Sequence, residues 1–225
     1  MDKLDLANTV LVFDLDDTLY PEIDYVRSGM TYVCDRLIET LGVDLHEALG
    51  QAVAAGERNW IGFLARESSL PASAVSSLLW IYRLHPPTLT LAPDCASLLD
   101  HLKHAGAPVL VLTDGRSITQ RLKLKALGLS HLPTLISEDW GGADKRNPTR
   151  FREVMARFPN KAWLYVGDNP AKDFIVPRAL GWRTVGVKTG EHGIHQPRFL
   201  DESLQHPPEV WLERAGALRE WLKTP

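Results

Sequence analysis

The feature that most restricts the fold of this chain is a series of short apolar runs that do not alternate with polar residues. Continuous runs of this kind are typical of parallel strands that are buried on both faces. Helical stretches separate them, and a repeated strand–helix order favours a doubly wound α/β sheet. We predict strands at 9–13, 107–113, 133–137, 162–167 and 183–187.

Glycines and prolines mark the ends of the intervening helical stretches. We predict core helices at 92–105, 117–127, 149–158 and 171–180, and a closing amphipathic helix at 209–222. The segment 190–206 is rich in His, Gln, Pro and Gly, and we expect it to be irregular.

Residues 20–90 interrupt the strand–helix rhythm, because they contain no strand-like run. We predict an all-helical cap domain over 20–90, with helices at 22–41, 45–60 and 72–82, inserted into an α/β core formed by 1–19 and 91–225. Since the insertion leaves and rejoins the core after the first strand, we expect it to pack over the C-terminal edge of the sheet. The alternative is a helical side domain remote from any site.

Composition excludes several classes of protein. The net charge of the 225 residues is −3, which favours neither nucleic acid nor anionic membranes as partners. No apolar run approaches the roughly 20 residues that span a bilayer, and the N-terminus does not resemble a secretory signal. We expect a cytoplasmic protein, monomeric or homodimeric, whose cysteines Cys34 and Cys95 are packed rather than disulfide-bonded.

The most informative segment is Asp14-Leu15-Asp16-Asp17-Thr18, which directly follows the first predicted strand. The carboxyl ends of the strands are where open α/β sheets bind ligands. Carboxylates packed this closely repel one another, and a bound cation would offset that repulsion. A turn or a helix cap is the simpler interpretation of the same residues.

Polar residues also follow the other predicted strands. Oxygen ligands without His or Cys favour Mg²⁺ over zinc, and the set matches what phosphoryl transfer through an aspartate requires. The further candidates are Thr113-Asp114-Gly115, Lys145, Asp168 and Asp173.

In these motifs the chain resembles the haloacid dehalogenase-like superfamily of hydrolases, from about Val10 to Val187. The first motif matches Asp-x-Asp-x-Thr, and Val111-Leu112-Thr113 matches the strand that ends in a phosphate-binding hydroxyl. Lys145 matches the family lysine, although Arg146 stands where a proline is usual. Gly167-Asp168 with Asp173 matches the metal-binding motif.

The resemblance implies a role for each matched residue. Asp14 would be the nucleophile and Asp16 the acid/base, with Lys145 beside them. Thr113, Asp114, Gly115 and Lys145 would bind the substrate phosphate. The Mg²⁺ ligands would be the side chains of Asp14 and Asp168 and the backbone of Asp16; Asp173 would either ligate the ion or brace the site.

The implied function is a Mg²⁺-dependent phosphomonoester hydrolase that acts on a small phosphorylated metabolite, a nucleotide or a sugar phosphate, through an aspartyl-phosphate. A phosphotransferase or phosphosugar mutase on the same scaffold and a non-catalytic phosphate-binding module are the alternatives. The long stretch between the first two motifs resembles the subfamily with a small helical cap. The candidates for substrate choice are Tyr20, Arg27, Arg83, His85 and Arg116.

Overall fold

The computed structural model describes residues 4–188 and 206–223. All but the last residue of the segment that we expect to be irregular, 190–206, lies outside the described residues. The chain divides into two compact units, one formed by 1–23 with 90–225 and the other by 24–89.

The larger unit is built on a parallel sheet, which confirms the predicted α/β class. Within the described residues the sheet has six strands in the order β3-β2-β1-β4-β5-β6. The strands are β1 (Thr9–Phe13), β2 (Val109–Thr113), β3 (Thr134–Ile136), β4 (Ala162–Gly167), β5 (Arg183–Val187) and β6 (Val210–Leu212). The strand order reverses between β1 and β4, and ligands bind at such a switch point in doubly wound folds.

The centre of the sheet is buried, as its apolar runs predict. All five residues of β1 are buried. Val10 and Val12 pack in one core cluster with Leu110, Phe151 and Tyr165 from neighbouring elements. A buried central strand fixes where its carboxyl end lies, and the polar residues after Phe13 start from that fixed point.

Helices connect the strands of this unit. They are α5 (Pro93–His104), α6 (Ser117–Ala126), α7 (Thr149–Arg157), α8 (Ile175–Ala179) and α9 (Leu218–Trp221). The predicted helix at 171–180 is too long at its start. The N–H groups of Lys172 and Asp173 both donate to the carbonyl of Asn169, so the chain first forms a turn after β4.

The predicted closing helix at 209–222 is wrong over most of its length, and only α9 at its end is an α-helix. Val210–Leu212 instead forms β6, which pairs in parallel with β5. The ring of Trp211 lies over Gly186, where a Cβ atom would come within 2.3 Å of it. Packing on the sheet edge therefore overrides the helical spacing of the apolar residues in this segment.

The smaller unit is helical where the structure describes it. Its helices are α1 (Glu22–Leu41, which begins in the larger unit), α2 (His46–Ala54), α3 (Trp60–Glu67) and α4 (Ala74–Leu84). They enclose a separate core around Val33, Leu37 and Leu64. None of the described helices combines the length and the apolar character that crossing a membrane requires.

The prediction of one helix over 45–60 is also wrong, because the chain turns within it. Gly56 has a φ of +95° and ends α2, a backbone conformation that other residues rarely adopt. Asn59 then caps α3 by accepting a hydrogen bond from the N–H of Gly62.

Candidate active site

Hydrogen bonds to β4 and to its own aspartate side chains hold the loop after β1. The N–H of Asp14 donates to the carbonyl of Val166 on β4 over 2.8 Å, and the N–H of Leu15 donates to Asp14 Oδ1 over 2.7 Å. Asp17 adopts a left-handed φ of 54°, and its Oδ1 accepts the N–H of Glu22 at the start of α1. The turn places Asp14 and Asp16 at the carboxyl edge of the sheet.

Three carboxylates meet at this edge. Asp14, Asp168 and Asp173 are buried, and one oxygen atom of each lies within 4.8 Å of the others. Lys145 Nζ lies 2.6 Å from Asp14 Oδ2 and 2.8 Å from Asp173 Oδ1. The other oxygen of Asp173 accepts the N–H groups of Asp168 and Asn169.

Gly167 has no side chain and so leaves room for the Asp173 carboxylate. A Cβ atom at Gly167 would lie 2.4 Å from Asp173 Oδ2, so a side chain there would push the carboxylate away from the strand end. Both oxygens of Asp173 accept hydrogen bonds, one from Lys145 and the other from the loop after β4.

Burial and mutual repulsion raise the pKa values of two of these acids. Desolvation, opposed by Lys145 and assisted by Asp173, raises the pKa of Asp14 to about 7. Desolvation, with the charges of Asp173 and Asp14, raises the pKa of Asp168 to about 9. Burial lowers the pKa of Lys145, but the carboxylates of Asp14 and Asp173 outweigh it and hold that pKa well above its usual value, so the lysine stays charged.

The pKa of Asp16 shifts in the opposite direction, because hydrogen-bond donors surround its carboxylate. Lys123 Nζ donates to Oδ1 over 2.7 Å, Gln120 Nε2 donates to Oδ2 over 2.9 Å, and the Tyr20 hydroxyl donates to Oδ1. Burial raises the pKa of Asp16, but the Lys123 ammonium and these hydrogen bonds outweigh it and leave that pKa lowered. Asp16 is therefore an ionised acceptor in this arrangement.

The end of β2 is tied to the segment that carries Lys145. Arg150 on α7 is buried and donates to the carbonyl of Thr113 over 2.8 Å, to Asp114 Oδ1 over 2.5 Å and to the carbonyl of Ala143 over 3.2 Å. The other oxygen of Asp114 accepts the N–H of Lys145 over 3.3 Å. The Gly115 N–H donates to Ser137 Oγ over 2.9 Å.

The cavity at this edge is strongly acidic and fits a hard cation. It has a volume of about 190 Å³, and Lys145 and Lys172 are the basic residues among the described residues that line it. No described residue donates a hydrogen bond to the Asp168 carboxylate, so that group remains available to an ion beside Asp14. The acidic lining consists of Asp14, Asp16, Asp17, Glu22, Asp114, Asp168 and Asp173.

The residues predicted to choose the substrate have varied surroundings. Tyr20 is buried on Asp16, and Arg116 at the start of α6 lies 3.9 Å from Glu138. In the helical unit, Arg27 lies 3.7 Å from Asp24 and Arg83 lies over the ring of Trp80.

His85 is fully buried in the same helical unit. Its ring packs against those of Tyr25, Tyr32 and Tyr82, and Nε2 lies 3.2 Å from Ser28 Oγ. Within this unit, His85 takes part in the packing of α1 against the segment after α4.

Several buried polar groups that contact the site residues were not predicted from the sequence. Gln120 and Lys123 lie three residues apart on α6 beside the apolar Leu124, and all three are buried. Polar residues on the apolar face of a helix were the available signal. The other missed residues are Arg150, which supports the end of β2, and Glu22 and Lys172, which line the cavity.

This chain is similar to known proteins in sequence and in fold. A model of the haloacid dehalogenase-like hydrolases matches residues 9–181. The chain is 28% identical over 212 residues to the glyceraldehyde 3-phosphate phosphatase of Methanopyrus kandleri, covering 85% of this chain and 89% of the relative. It is 26% identical over 204 residues to the ribulose-1,5-bisphosphate 5-phosphatase of Halopiger xanaduensis, covering 79% and 83%.

A solved structure is also similar in fold. It is the HAD-hydrolase YfnB of Bacillus subtilis bound to magnesium, with a TM-score of 0.66 and 21% identity over 96% of this chain and 99% of that one.

Proposed function

The chain belongs to the haloacid dehalogenase-like hydrolases and is a phosphatase of that family, and we propose that it hydrolyses a small phosphorylated sugar through an aspartyl-phosphate formed on Asp14. The observation that carries the proposal is the position of Asp14. Its carboxylate lies 2.6 Å from Lys145 and within 4.8 Å of the carboxylates of Asp168 and Asp173, in a cavity that Thr113 also lines.

In the first step an Asp14 oxygen forms a bond to phosphorus and the bond from phosphorus to the ester oxygen breaks. Lys145 offsets the charge of the incoming phosphate, and the Thr113 hydroxyl donates to one of its oxygens. The buried position of Asp14 excludes most water from this carboxylate, which favours attack by the carboxylate itself.

Asp16 acts as the general acid in the first step and as the general base in the second. In its protonated form it donates a proton to the departing ester oxygen. The resulting carboxylate then takes a proton from water, whose oxygen attacks phosphorus and releases inorganic phosphate and Asp14. The donors around Asp16 favour the ionised form, and the negative charge of an entering phosphate favours the protonated form.

We propose Mg²⁺ as the cofactor, held by the side chains of Asp14 and Asp168 and the backbone carbonyl of Asp16. The ion would offset the repulsion between Asp14 and the phosphate. Asp173 would orient Lys145 rather than ligate, because both of its oxygens accept hydrogen bonds. The acidic cavity supports this assignment, as does the magnesium in the similar Bacillus subtilis structure.

Two observations favour a sugar phosphate over a nucleotide. Both relatives named above act on phosphorylated sugars of few carbons. The cavity of about 190 Å³ is smaller than the roughly 300–1,000 Å³ of typical small-molecule sites. Phosphate release from glyceraldehyde 3-phosphate, ribulose 1,5-bisphosphate and a nucleoside monophosphate tests this choice, and a clear preference for the nucleotide would overturn it.

The test of the mechanism is Asp14→Asn. The amide is a far weaker nucleophile than the carboxylate, so we expect turnover to fall by at least about 10³-fold with the fold intact, as measured by phosphate release and thermal unfolding. Asp5→Asn, at the other end of β1, is the matched control and should retain activity, because Asn can also cap the turn that Asp5 caps. Residual turnover of Asp14→Asn near that of the control would exclude the covalent route.

A further inference from the structure

We propose that Gln120 on α6 is a positioning residue for phosphate binding, because it fixes the direction in which the Thr113 hydroxyl donates its hydrogen bond. This inference rests on the proposed function and extends it to a residue that does not touch the substrate.

The Gln120 amide lies in a site made of acceptors. Its Nε2 is 2.8 Å from Thr113 Oγ1, 2.9 Å from Asp16 Oδ2 and 2.9 Å from the carbonyl oxygen of Asp114. Gln120 is 1% exposed, and its Oε1 is buried without a hydrogen-bond partner among the described residues. Rotating the amide by half a turn would place Oε1 against these three oxygens, so the amide has one allowed orientation.

This orientation determines what the Thr113 hydroxyl can do. A hydroxyl has one donor, and here its oxygen already accepts from Gln120. Within 4–188 and 206–223 no residue accepts a hydrogen bond from the Thr113 hydroxyl, and Thr113 lines the acidic cavity. The hydrogen atom of the hydroxyl is therefore free to point into the cavity, toward an oxygen of an entering phosphate.

Gly115 gives Gln120 the space to reach this position. A Cβ atom at Gly115 would lie 3.1 Å from the Gln120 side chain, and Gly115 has a φ of +145°. The N–H of Gly115 donates to Ser137 Oγ. Thr113, Gly115 and Gln120 thus form one arrangement in which the glycine admits the amide and the amide orients the hydroxyl.

The experiment is a double-mutant cycle on the full-length protein, with competitive inhibition by inorganic phosphate as the measure of binding. Gln120→Met keeps the length of the side chain and removes the amide. We expect it to raise the inhibition constant of phosphate about tenfold in the wild-type background and less than about twofold in a Thr113→Val background. Lys125→Met, an apolar substitution at an exposed position of the same helix, is the matched control and should leave the constant unchanged.

The outcomes separate this inference from the proposed function. If Gln120→Met has the same effect with and without the Thr113 hydroxyl, or no effect, Gln120 does not act through Thr113 and the inference is wrong. If Gln120→Met does not fold, Gln120→Glu replaces it. Its carboxyl group, protonated because it lies between Asp16 Oδ2 and the Asp114 carbonyl, accepts the Thr113 O–H through its other oxygen and should weaken phosphate binding more in the wild-type than in the Thr113→Val background. Absence of phosphatase activity in the wild-type protein would instead refute the proposed function.

Discussion

At the scale of single residues, four of the acids that line the cavity are paired with buried cations. Asp16 is matched by Lys123, Asp14 and Asp173 share Lys145, and Asp114 is matched by Arg150. Acids that line a cavity repel a phosphate unless their charge is offset. The buried cations leave the cavity able to receive an anion and a metal ion together.

Lys123 gives the first prediction at this scale. Lys123→Met removes the ammonium that lies 2.7 Å from Asp16 Oδ1 and that helps to lower the pKa of Asp16. In the proposed mechanism Asp16 must be ionised to accept a proton from water, so a higher pKa would leave it protonated over more of the acidic range. We expect kcat near neutral pH to fall about tenfold and the acidic limb of its pH profile to move to higher pH.

The measurement is steady-state phosphate release between about pH 5 and 9, with the exposed Lys125→Met as the control. An acidic limb that coincides in Lys123→Met and Lys125→Met would show that Lys123 does not set the state of Asp16.

Arg150 gives a prediction of stability. Arg150→Met leaves the Asp114 carboxylate without its ion pair and removes the donor to the Thr113 carbonyl. Removing one partner of a fully buried ion pair typically costs about 3–5 kcal/mol, and because the Asp114 side chain is 22% exposed the cost here should be lower, about 2–3 kcal/mol. We expect a loss of that size in urea unfolding, with partial recovery in Arg150→Met/Asp114→Asn, because a neutral Asn needs no counter-ion. A double variant less stable than Arg150→Met alone would contradict this account.

The residues that follow a strand could be predicted from the sequence, and those that approach from a helix could not. Asp14 and Asp168 directly follow β1 and β4, and Thr113 is the last residue of β2, so the sheet fixes where they lie. Gln120 and Arg150 reach the site across long stretches of chain, and their roles depend on how α6 and α7 pack. Only the burial of polar residues on a helix face marks them in advance.

At the scale of elements, the sequence was most informative where one local signal dominates. The bounds of β1, β4 and β5 agree with their apolar runs, and α1 agrees with its helical pattern. The helix predicted at 209–222 is wrong at 210–212, because the apolar residues there form an edge strand beside β5. Such a choice is decided by the surface on which the segment packs, which local periodicity does not describe.

Substitutions at two glycines separate the effect of packing against a neighbouring element from the effect of local helix propensity. Gly186→Ala on β5 would place a Cβ atom 2.3 Å from the ring of Trp211 and should destabilise the pairing of β5 with β6. Gly50→Ala in α2 meets no atom within 4 Å and should stabilise the helical unit by about 0.5–1 kcal/mol, because alanine is the better helix former. Thermal unfolding compares the two, and equal shifts in the same direction would contradict the role of Trp211.

At the scale of the whole molecule, the net charge of −3 conceals a concentration of negative charge at one edge of the sheet. Asp14 and Asp168 have pKa values of about 7 and about 9 in the folded protein, against 3.8 for an ordinary aspartate. Between the ordinary pKa of 3.8 and the raised pKa of each acid, the folded protein binds more protons than the unfolded chain. The contribution of both acids to stability is therefore complete below about pH 4 and falls progressively above it, until it is fully lost at about pH 7 for Asp14 and about pH 9 for Asp168.

Metal binding should reverse this dependence, because the ion stabilises the ionised carboxylates. We expect Mg²⁺ to raise the unfolding temperature more as the pH rises from about 6 to 9, and its binding near pH 7 to release about 1.5 protons, about one from Asp168 and about half of one from Asp14. Calorimetric titration in buffers of different ionisation enthalpy measures that number. Asp168→Asn should abolish most of the release, whereas the exposed Asp100→Asn on α5 should not change it. Binding of Mg²⁺ without proton release near pH 7 would contradict this expectation. It would mean that Asp14 and Asp168 are already ionised, because a neighbouring cation offsets their charge before the metal binds.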